Sequence, residues 1–200
     1  MPQTPTPTPT QPPVIFTLEE YLAYNDGTDT RYELVNGELV EMPSESDLNN
    51  LIAIFLIAQF LQFVPIAYLR RGTEIAVSGY RSTARIPDLM ILTEESAAAL
   101  RGASRSILLP DMPPPALVVE VVSPGLENEQ RDYRYKRSEY AARRIPEYWI
   151  VDPEAQQVVV LTWVAGLYEE AVFQGDEPIV SNLFPELKLT AAQVLQARMA

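Results

Sequence analysis

The sequence predicts an α/β fold in which a mixed β-sheet is flanked by helices. Its central elements follow in the order helix, strand, strand, strand, helix, strand, and an early and a late hairpin extend the sheet. Two strand-like runs, RIPDLMIL and ALVVEVV, each contain one carboxylate, Asp88 and Glu120. A carboxylate in an apolar β-run is costly to bury unless it is paired or binds a metal, so these two positions are candidates for a functional site.

The first 13 residues differ in composition from the rest of the chain. They alternate Thr and Pro, which predicts a disordered tail, and residues 14–200 are long enough to form one domain with its own core. No apolar run approaches the roughly 18 residues of a membrane span, and the start lacks the regions of a secretory signal. Together with the absence of cysteine, these features favour a cytoplasmic protein with no membrane partner.

Local signals place the elements of the first half. Thr17 as N-cap and Glu20 three residues later predict a short helix over residues 16–23. The segment RYELVNGELVEM predicts a hairpin, because Asn36-Gly37 permits the positive φ angles of a type I′ turn. Residues 46–63 predict a long helix, and apolar side chains around nearly its whole circumference indicate burial on all sides.

The second half alternates strands and helices. Strands are predicted over residues 68–78, 83–93, 116–122 and 148–151, and a hairpin over 158–164 and 167–173 that turns at Ala165-Gly166. Helices are predicted over residues 94–100, 129–143 and 190–197, and a loop over 101–115.

Composition limits the available chemistry. The chain has no histidine and no cysteine, so catalysis by a histidine base and most zinc sites are excluded. The net charge of −12 disfavours a nucleic-acid partner, but 12 of the 15 basic residues lie between Arg70 and Arg144, which is also the part that contains the two acids. Acidic ends around this segment are compatible with DNA binding and do not require it.

The acids and one lysine are the parts needed for metal-assisted phosphodiester chemistry. Mg²⁺ is bound by one or two carboxylates together with waters and phosphate oxygens, and Asp88 and Glu120 on neighbouring strands supply such a pair. A lysine ammonium nearby positions a water or stabilises developing negative charge, and Lys136 is one of only two lysines. Asp132, Lys136 and Tyr140 are spaced by four residues and therefore share one helix face.

Four segments also carry a family resemblance. In this order and at this spacing, YELVNGELVEM, RIPDLMIL, VVEVVSP and YKRSEYAARRIPEYWIVD resemble the Uma-two family of restriction-endonuclease-like proteins, within the PD-(D/E)xK nuclease superfamily. The similarity extends from about residue 16 to residue 195. It implies a restriction-endonuclease-like αβββαβ core with added N- and C-terminal hairpins, a divalent metal (Mg²⁺ or Mn²⁺), DNA as substrate and a homodimer.

The resemblance also implies roles for individual residues. Asp88 and Glu120 match the metal ligands, and Lys136 matches the catalytic lysine. Glu33 matches an early acidic position that adds a ligand or orients one, and Tyr140 matches a recurrent tyrosine that positions the site.

The chain departs from the family pattern at two places. The superfamily lysine usually stands two residues after the second acid, where this chain has Val122, so Lys136 has to reach back from the following helix. Many relatives have a histidine at the start of the long helix, where this chain reads SESDLNN, so Ser46, Asp47 or Asn49 has to substitute for it.

Simpler interpretations of the same residues stay open from sequence alone. In these interpretations, Asp88 only terminates a turn and Lys136 lies on a solvated basic helix face. Likewise, Glu33 pairs with Arg31 on an exposed strand and Tyr140 only packs in the core. Three functions therefore compete. They are a metal-dependent DNA endonuclease, a catalytically weak or inactive nuclease-fold module that binds nucleic acid or protein, and a hydrolase of small phosphorylated molecules.

Overall fold

The α/β class predicted from sequence is confirmed, with the strands divided between two mixed sheets. The computed structural model describes residues 14–77 and 80–198, so the predicted disorder of residues 1–13 lies outside the described part. The strands are β1 Tyr32–Val35, β2 Glu38–Glu41, β3 Leu69–Arg70, β4 Glu74–Val77, β5 Thr83–Arg85, β6 Leu89–Ile91, β7 Ile107–Leu108, β8 Leu117–Val121, β9 Glu147–Asp152, β10 Gln157–Val164 and β11 Leu167–Gln174. The helices are α1 Leu18–Ala23, α2 Asp47–Phe60, α3 Glu94–Ala99, α4 Leu126–Gln130, α5 Arg137–Ala142 and α6 Ala191–Leu195, with a π-helical segment Arg131–Lys136 that joins α4 to α5 and a 3₁₀ turn Ile66–Tyr68.

The larger sheet has helices on both faces. Its six strands run in the order β11-β10-β9-β8-β6-β3, and β8 pairs in parallel with β9. One face packs against α2 and α6 through side chains such as Ile52, Phe60 and Trp149. The other face packs against the helix that follows β8, where Tyr140 and Tyr148 are fully buried. Burial on both faces explains why the residues inside β8 and β9 are apolar or aromatic apart from Glu120.

The smaller sheet has the order β2-β1-β5-β4-β7 and supports α1. The hairpin β1–β2 turns at Asn36 and Gly37, whose φ angles of 52° and 85° fit the predicted type I′ turn. A Cβ on Gly37 would lie 2.7 Å from a side-chain carbon of Ile15, so glycine is required there for space as well. Thr17 and Glu20 form the predicted capping box at the start of α1.

The two strands predicted over residues 68–78 and 83–93 are each broken, which corrects the sequence prediction. The first divides into β3 and β4 around Gly72, whose φ is +70°, and the second divides into β5 and β6 around Pro87. Proline lacks the N–H that would continue the ladder. The chain thus crosses between the two sheets at both breaks, and the second crossing contains Asp88.

Two other predictions need correction. Helix α2 is buried on one side only: Leu51 and Ile54 are about half exposed, so the expectation of burial on all sides is wrong. The predicted loop 101–115 contains the short strand β7. The remaining elements form within a few residues of the predicted bounds, including α3, the hairpin β10–β11 and α6.

The helix predicted over residues 129–143 begins earlier, at Leu126, and contains the π-helical segment. A π-helical turn places residues four apart more nearly above one another than an α-helical turn does, and it occurs frequently at functional sites. Asp132 and Lys136, both buried, are such a pair. Within the described part of the chain, no helix is sufficiently long and apolar to cross a bilayer.

Candidate active site

Asp88 and Glu120 lie on the same face of neighbouring strands. In the antiparallel pair β6–β8, Leu89 is opposite Val119 and Met90 is opposite Val118. This register, continued by one residue, places Asp88 opposite Glu120, directly after the break at Pro87. Both side chains line one cavity of about 250 Å³ at the junction of the two sheets. The structure therefore brings the two sequence-predicted acids together.

Lys136 and Tyr140 meet the Glu120 carboxylate from the helix that follows β8. The Lys136 Nζ lies 2.7 Å from Glu120 Oε2 and 3.1 Å from Asp132 Oδ1. The Tyr140 hydroxyl donates a hydrogen bond of 2.6 Å to Glu120 Oε1. All of these side chains are buried, so the alternative of a solvated Lys136 is wrong, and Tyr140 combines core packing with a contact to the site.

Backbone contacts hold Asp88 in place. The Val121 N–H donates to Asp88 Oδ2 at 2.6 Å, which ties this carboxylate to the strand that bears Glu120. The Arg71 Nε–H donates to the Asp88 carbonyl at 3.1 Å, so the two strand breaks support each other. Asp88 is half-buried and lines the same cavity as Glu33.

Glu33 reaches the site through an arginine that the sequence analysis did not single out. Glu33 Oε2 lies 3.0 Å from an Arg85 NH group, and its Oε1 accepts the Ile86 N–H at 2.9 Å. Arg85 is also paired with Glu139 through two bonds of 2.8 Å. Glu33 is buried, so the alternative of an exposed pair with Arg31 is wrong. A signal was present in the sequence, because Arg85 is a charged residue inside the apolar run TARIPDLMIL.

Asn49 is one of the three residues at the start of α2 that the family resemblance places where a histidine is expected. Its Nδ2 lies 3.3 Å from the carbonyl oxygen of Val121, the residue after Glu120, and 3.4 Å from Ser123 Oγ. Ser46, by contrast, is the N-cap of α2. Of the three candidates for the missing histidine, Asn49 and not Ser46 or Asp47 lines the cavity.

Electrostatics in the site are dominated by negative charge. Ion pairs join the carboxylates of Glu33, Glu120, Asp132 and Glu139 to Arg85, Arg131 and Lys136, and the Asp88 carboxylate lines the same cavity, which leaves −2 over these groups when all are ionised. Burial raises the pKa of Asp88 to about 6, and the Glu45 and Asp132 charges add to this effect. Burial likewise raises the pKa of Glu120, against the influence of the Lys136 ammonium.

The cationic and phenolic groups respond to the same field. Burial opposes the charge on Lys136, but the Glu120 and Asp132 carboxylates outweigh it and raise the Lys136 pKa. Burial and the Glu120 charge raise the pKa of Tyr140 well above its usual value. Lys136 is therefore a protonated donor at neutral pH, and Tyr140 is a neutral one.

The donor set fits a divalent cation with hard oxygen ligands. Two carboxylates facing one cavity are the usual protein contribution to a Mg²⁺ site. Among residues 14–77 and 80–198, no group of three or more Asp, Glu, His or Cys side chains is arranged to hold a metal. Waters or substrate oxygens would have to complete the coordination shell.

Comparison with known proteins identifies a family and a similar fold for this chain. A family model described as "Uma2: Putative restriction endonuclease" matches residues 18–192, and no curated protein matches the chain. A crystal structure of "a putative nuclease belonging to DUF820" from Anabaena variabilis superposes with a TM-score of 0.67 and 16% sequence identity, covering 91% of this chain and 98% of that one. Similarity at this identity shows a shared nuclease-like fold. The family model spans most of the 200 residues, and the chain therefore belongs to the Uma2 family of nuclease-like proteins.

Proposed function

We propose that this protein is a metal-dependent endonuclease that hydrolyses DNA phosphodiester bonds. The observation that carries the proposal is the meeting of two carboxylates and an ammonium at one cavity: Asp88 opposite Glu120, and Lys136 Nζ 2.7 Å from Glu120. Membership in a nuclease-like family makes nucleic acid the expected substrate.

Asp88 and Glu120 are the residues that would hold Mg²⁺ or Mn²⁺. When bound, the ion acidifies a coordinated water and offsets negative charge on the scissile phosphate. Glu120 is kept in its orientation by Lys136 and Tyr140, one on each carboxylate oxygen. Asp88 is kept in place by the Val121 N–H, so neither carboxylate has to be ordered when substrate arrives.

Lys136 serves as a charged hydrogen-bond donor and not as a general base. Its ammonium is stabilised by Glu120 and Asp132, which raise its pKa, so it does not accept a proton from water at neutral pH. A fixed ammonium at the cavity wall can donate a hydrogen bond to the attacking water or to a phosphate oxygen as charge develops.

Glu33 and Tyr140 act as positioning residues in this scheme. Both Glu33 oxygens are bonded, to Arg85 and to the Ile86 N–H, and the latter bond anchors the crossing that leads to Asp88. The nearby charges of Lys136 and Arg85 lower the pKa of Glu33 even though burial opposes this, so Glu33 is ionised. Tyr140 fixes Glu120 from the core side.

The proposal is tested by plasmid cleavage in Mg²⁺ or Mn²⁺. Wild type is compared with Asp88→Asn and Lys136→Met, and with the matched controls Asp176→Asn and Lys188→Met at exposed positions. We expect each site variant to lose about a hundredfold or more in rate, because it removes a metal ligand or a charge-stabilising donor, and both controls to cleave like wild type. Circular dichroism of each variant establishes that it is folded.

A second function is favoured by one observation, the net charge of −12. Because this charge disfavours tight contact with a phosphate backbone, it suits a catalytically weak or inactive nuclease-fold module, which would bind protein, or nucleic acid through the basic segment 70–144. Equal residual cleavage by wild type and all four variants would identify a contaminating nuclease and support this module instead. A hydrolase of small phosphorylated molecules would use the same site residues.

A further inference from the structure

Tyr135 is an exposed aromatic residue at the mouth of the candidate active site. Its neighbours Asp132 and Lys136 on the π-helical segment are buried, whereas Tyr135 is 58% exposed and still lines the same cavity. Nothing in the proposed hydrolysis uses this side chain. A large apolar ring held in water beside a catalytic cavity is available to a ligand.

We propose that Tyr135 stacks on an unpaired base, so that the site acts on single-stranded DNA or on a locally unpaired strand. This inference rests on the proposed function and specifies its substrate class. An aromatic side chain can stack on any base because every base has a π-face. In a duplex those faces are covered by neighbouring base pairs, so stacking on Tyr135 requires a base that has left the helix.

The wall around Tyr135 suits a base better than a row of phosphates. The hairpin side of the cavity presents Val40, which is 46% exposed, together with Met42 and Pro43. The same wall contains the exposed carboxylates of Glu41 and Glu45, which repel phosphates. An apolar wall and an aromatic ring can hold the base, while the scissile phosphate lies deeper, at Asp88 and Glu120.

Few cations at this cavity are free to hold a duplex backbone. Arg85 is held by Glu33 and Glu139, and Arg71 is paired with Glu45. Lys136 is buried and paired with Glu120 and Asp132, whereas Arg131 contacts Asp132 but keeps 31% of its side chain exposed, so Arg131 and the remaining Lys136 proton can meet one or two phosphates. For a single strand this predicts a shallow salt dependence, with log K falling by about 0.7 to 1.4 for each unit of log salt.

The test measures binding by fluorescence anisotropy, so that it does not depend on cleavage. The probe is a labelled single-stranded DNA decamer with phosphorothioate linkages, compared with the same sequence as a blunt duplex, both in Mg²⁺. Wild type is compared with Tyr135→Ala and Tyr135→Phe. Tyr80→Ala is the matched control, since the Tyr80 ring is 91% exposed but does not line the cavity.

We expect wild type to bind the single strand more tightly than the duplex, with the shallow salt dependence given above. Tyr135→Ala should weaken single-strand binding roughly tenfold or more, while Tyr135→Phe and Tyr80→Ala remain within about twofold of wild type. On a cleavable single strand, Tyr135→Ala should raise KM and leave kcat within about twofold.

Two results would overturn the inference and leave the proposed function intact. In the first, the wild type cleaves DNA in Mg²⁺ but binds the duplex as tightly as the single strand. In the second, the wild type cleaves DNA in Mg²⁺ but Tyr135→Ala binds the single strand with the same affinity as wild type. The opposite pattern, no cleavage by wild type but a selective loss of single-strand binding in Tyr135→Ala, would refute the endonuclease and retain the base-binding site.

Discussion

Two buried ionic networks in this molecule differ in their charge balance. One of them lies apart from the candidate active site: Glu74 of β4 accepts two hydrogen bonds of 2.8 and 2.9 Å from Arg105, and a third of 2.7 Å from the Tyr21 hydroxyl. Arg105 also lies over the Tyr21 ring at 4.5 Å and donates to carbonyl oxygens at the end of α1. One carboxylate meets one guanidinium, so this network is neutral and holds α1 to the smaller sheet.

The network around Glu120 has the same kinds of contacts but two more carboxylates than cations. Buried charge without a partner costs free energy, so an excess of this kind is unfavourable for folding alone. Since the Glu74 network shows that the chain can bury a balanced pair, the imbalance at Asp88 and Glu120 is better explained by a ligand of positive charge.

The largest effect on stability is expected from Lys136→Met, which replaces a buried cation with an uncharged side chain of similar length. Glu120 and Asp132 would both lose their ammonium partner inside the core, and removing one member of a buried pair typically costs about 3–5 kcal/mol. Urea unfolding of wild type and variant at pH 7.5 without metal measures the difference. Lys188→Met at an exposed position should change the free energy of unfolding by less than about 0.5 kcal/mol.

A loss below about 1 kcal/mol in Lys136→Met would contradict this view, because it would mean that Glu120 does not depend on Lys136. Added Mg²⁺ should restore part of the lost stability if the ion can replace the missing positive charge. The same addition should leave Lys188→Met no different from wild type.

The next effect is a gain in stability from Asp88→Asn. The folded pKa of Asp88 is about 6, above its ordinary value near 3.8, so the folded state retains a proton that the unfolded state has released. The contribution of Asp88 to wild-type stability therefore falls as pH rises from about 4 to 6, and the full cost is present above pH 6. Asparagine removes this cost, so the variant should gain about 3 kcal/mol at pH 7.5 and almost nothing at pH 3.5.

Urea unfolding at the two pH values measures this gain, and Asp176→Asn, at an exposed position, serves as the control. A loss of stability in Asp88→Asn at pH 7.5 would mean that the Val121 N–H contact stabilises the charged form more than burial opposes it. Mg²⁺ should stabilise the wild type and not Asp88→Asn, since the variant lacks one of the two carboxylate ligands.

Elements whose chemistry is local were predictable from the sequence. The capping box at Thr17 and Glu20 and the type I′ turn at Asn36-Gly37 are specified by residues adjacent in the chain, and both form as expected. Asp88 and Glu120 could be identified because a lone carboxylate in an apolar run conflicts with its surroundings. The role of Lys136 was predicted by the family motifs, because its spacing along the chain does not by itself show that it contacts Glu120.

Features that depend on tertiary contacts were not predictable. The strand breaks at Gly72 and Pro87 occur where the chain crosses between two sheets, and hydrophobic periodicity contains no information about which sheet a strand joins. The exposed side of α2 could not be distinguished from a buried one, because Leu51 and Ile54 have the same apolar character as the buried Ile52. Arg85 acquires its importance from Glu33 and Glu139, each more than 50 residues away in sequence.

The smallest of these effects is expected in the balanced network, from Arg105→Met. This change removes charged hydrogen bonds to Glu74, but the side chain is one-third exposed, so water can replace part of them and the loss should be about 1–2 kcal/mol. Unlike Lys136→Met, the variant should show no recovery of stability in Mg²⁺, because Glu74 faces no second carboxylate in its network. Urea unfolding with and without Mg²⁺ measures both quantities. A loss as large as that of Lys136→Met, or an equal recovery in Mg²⁺, would mean that charge balance does not separate a structural network from a functional one in this fold.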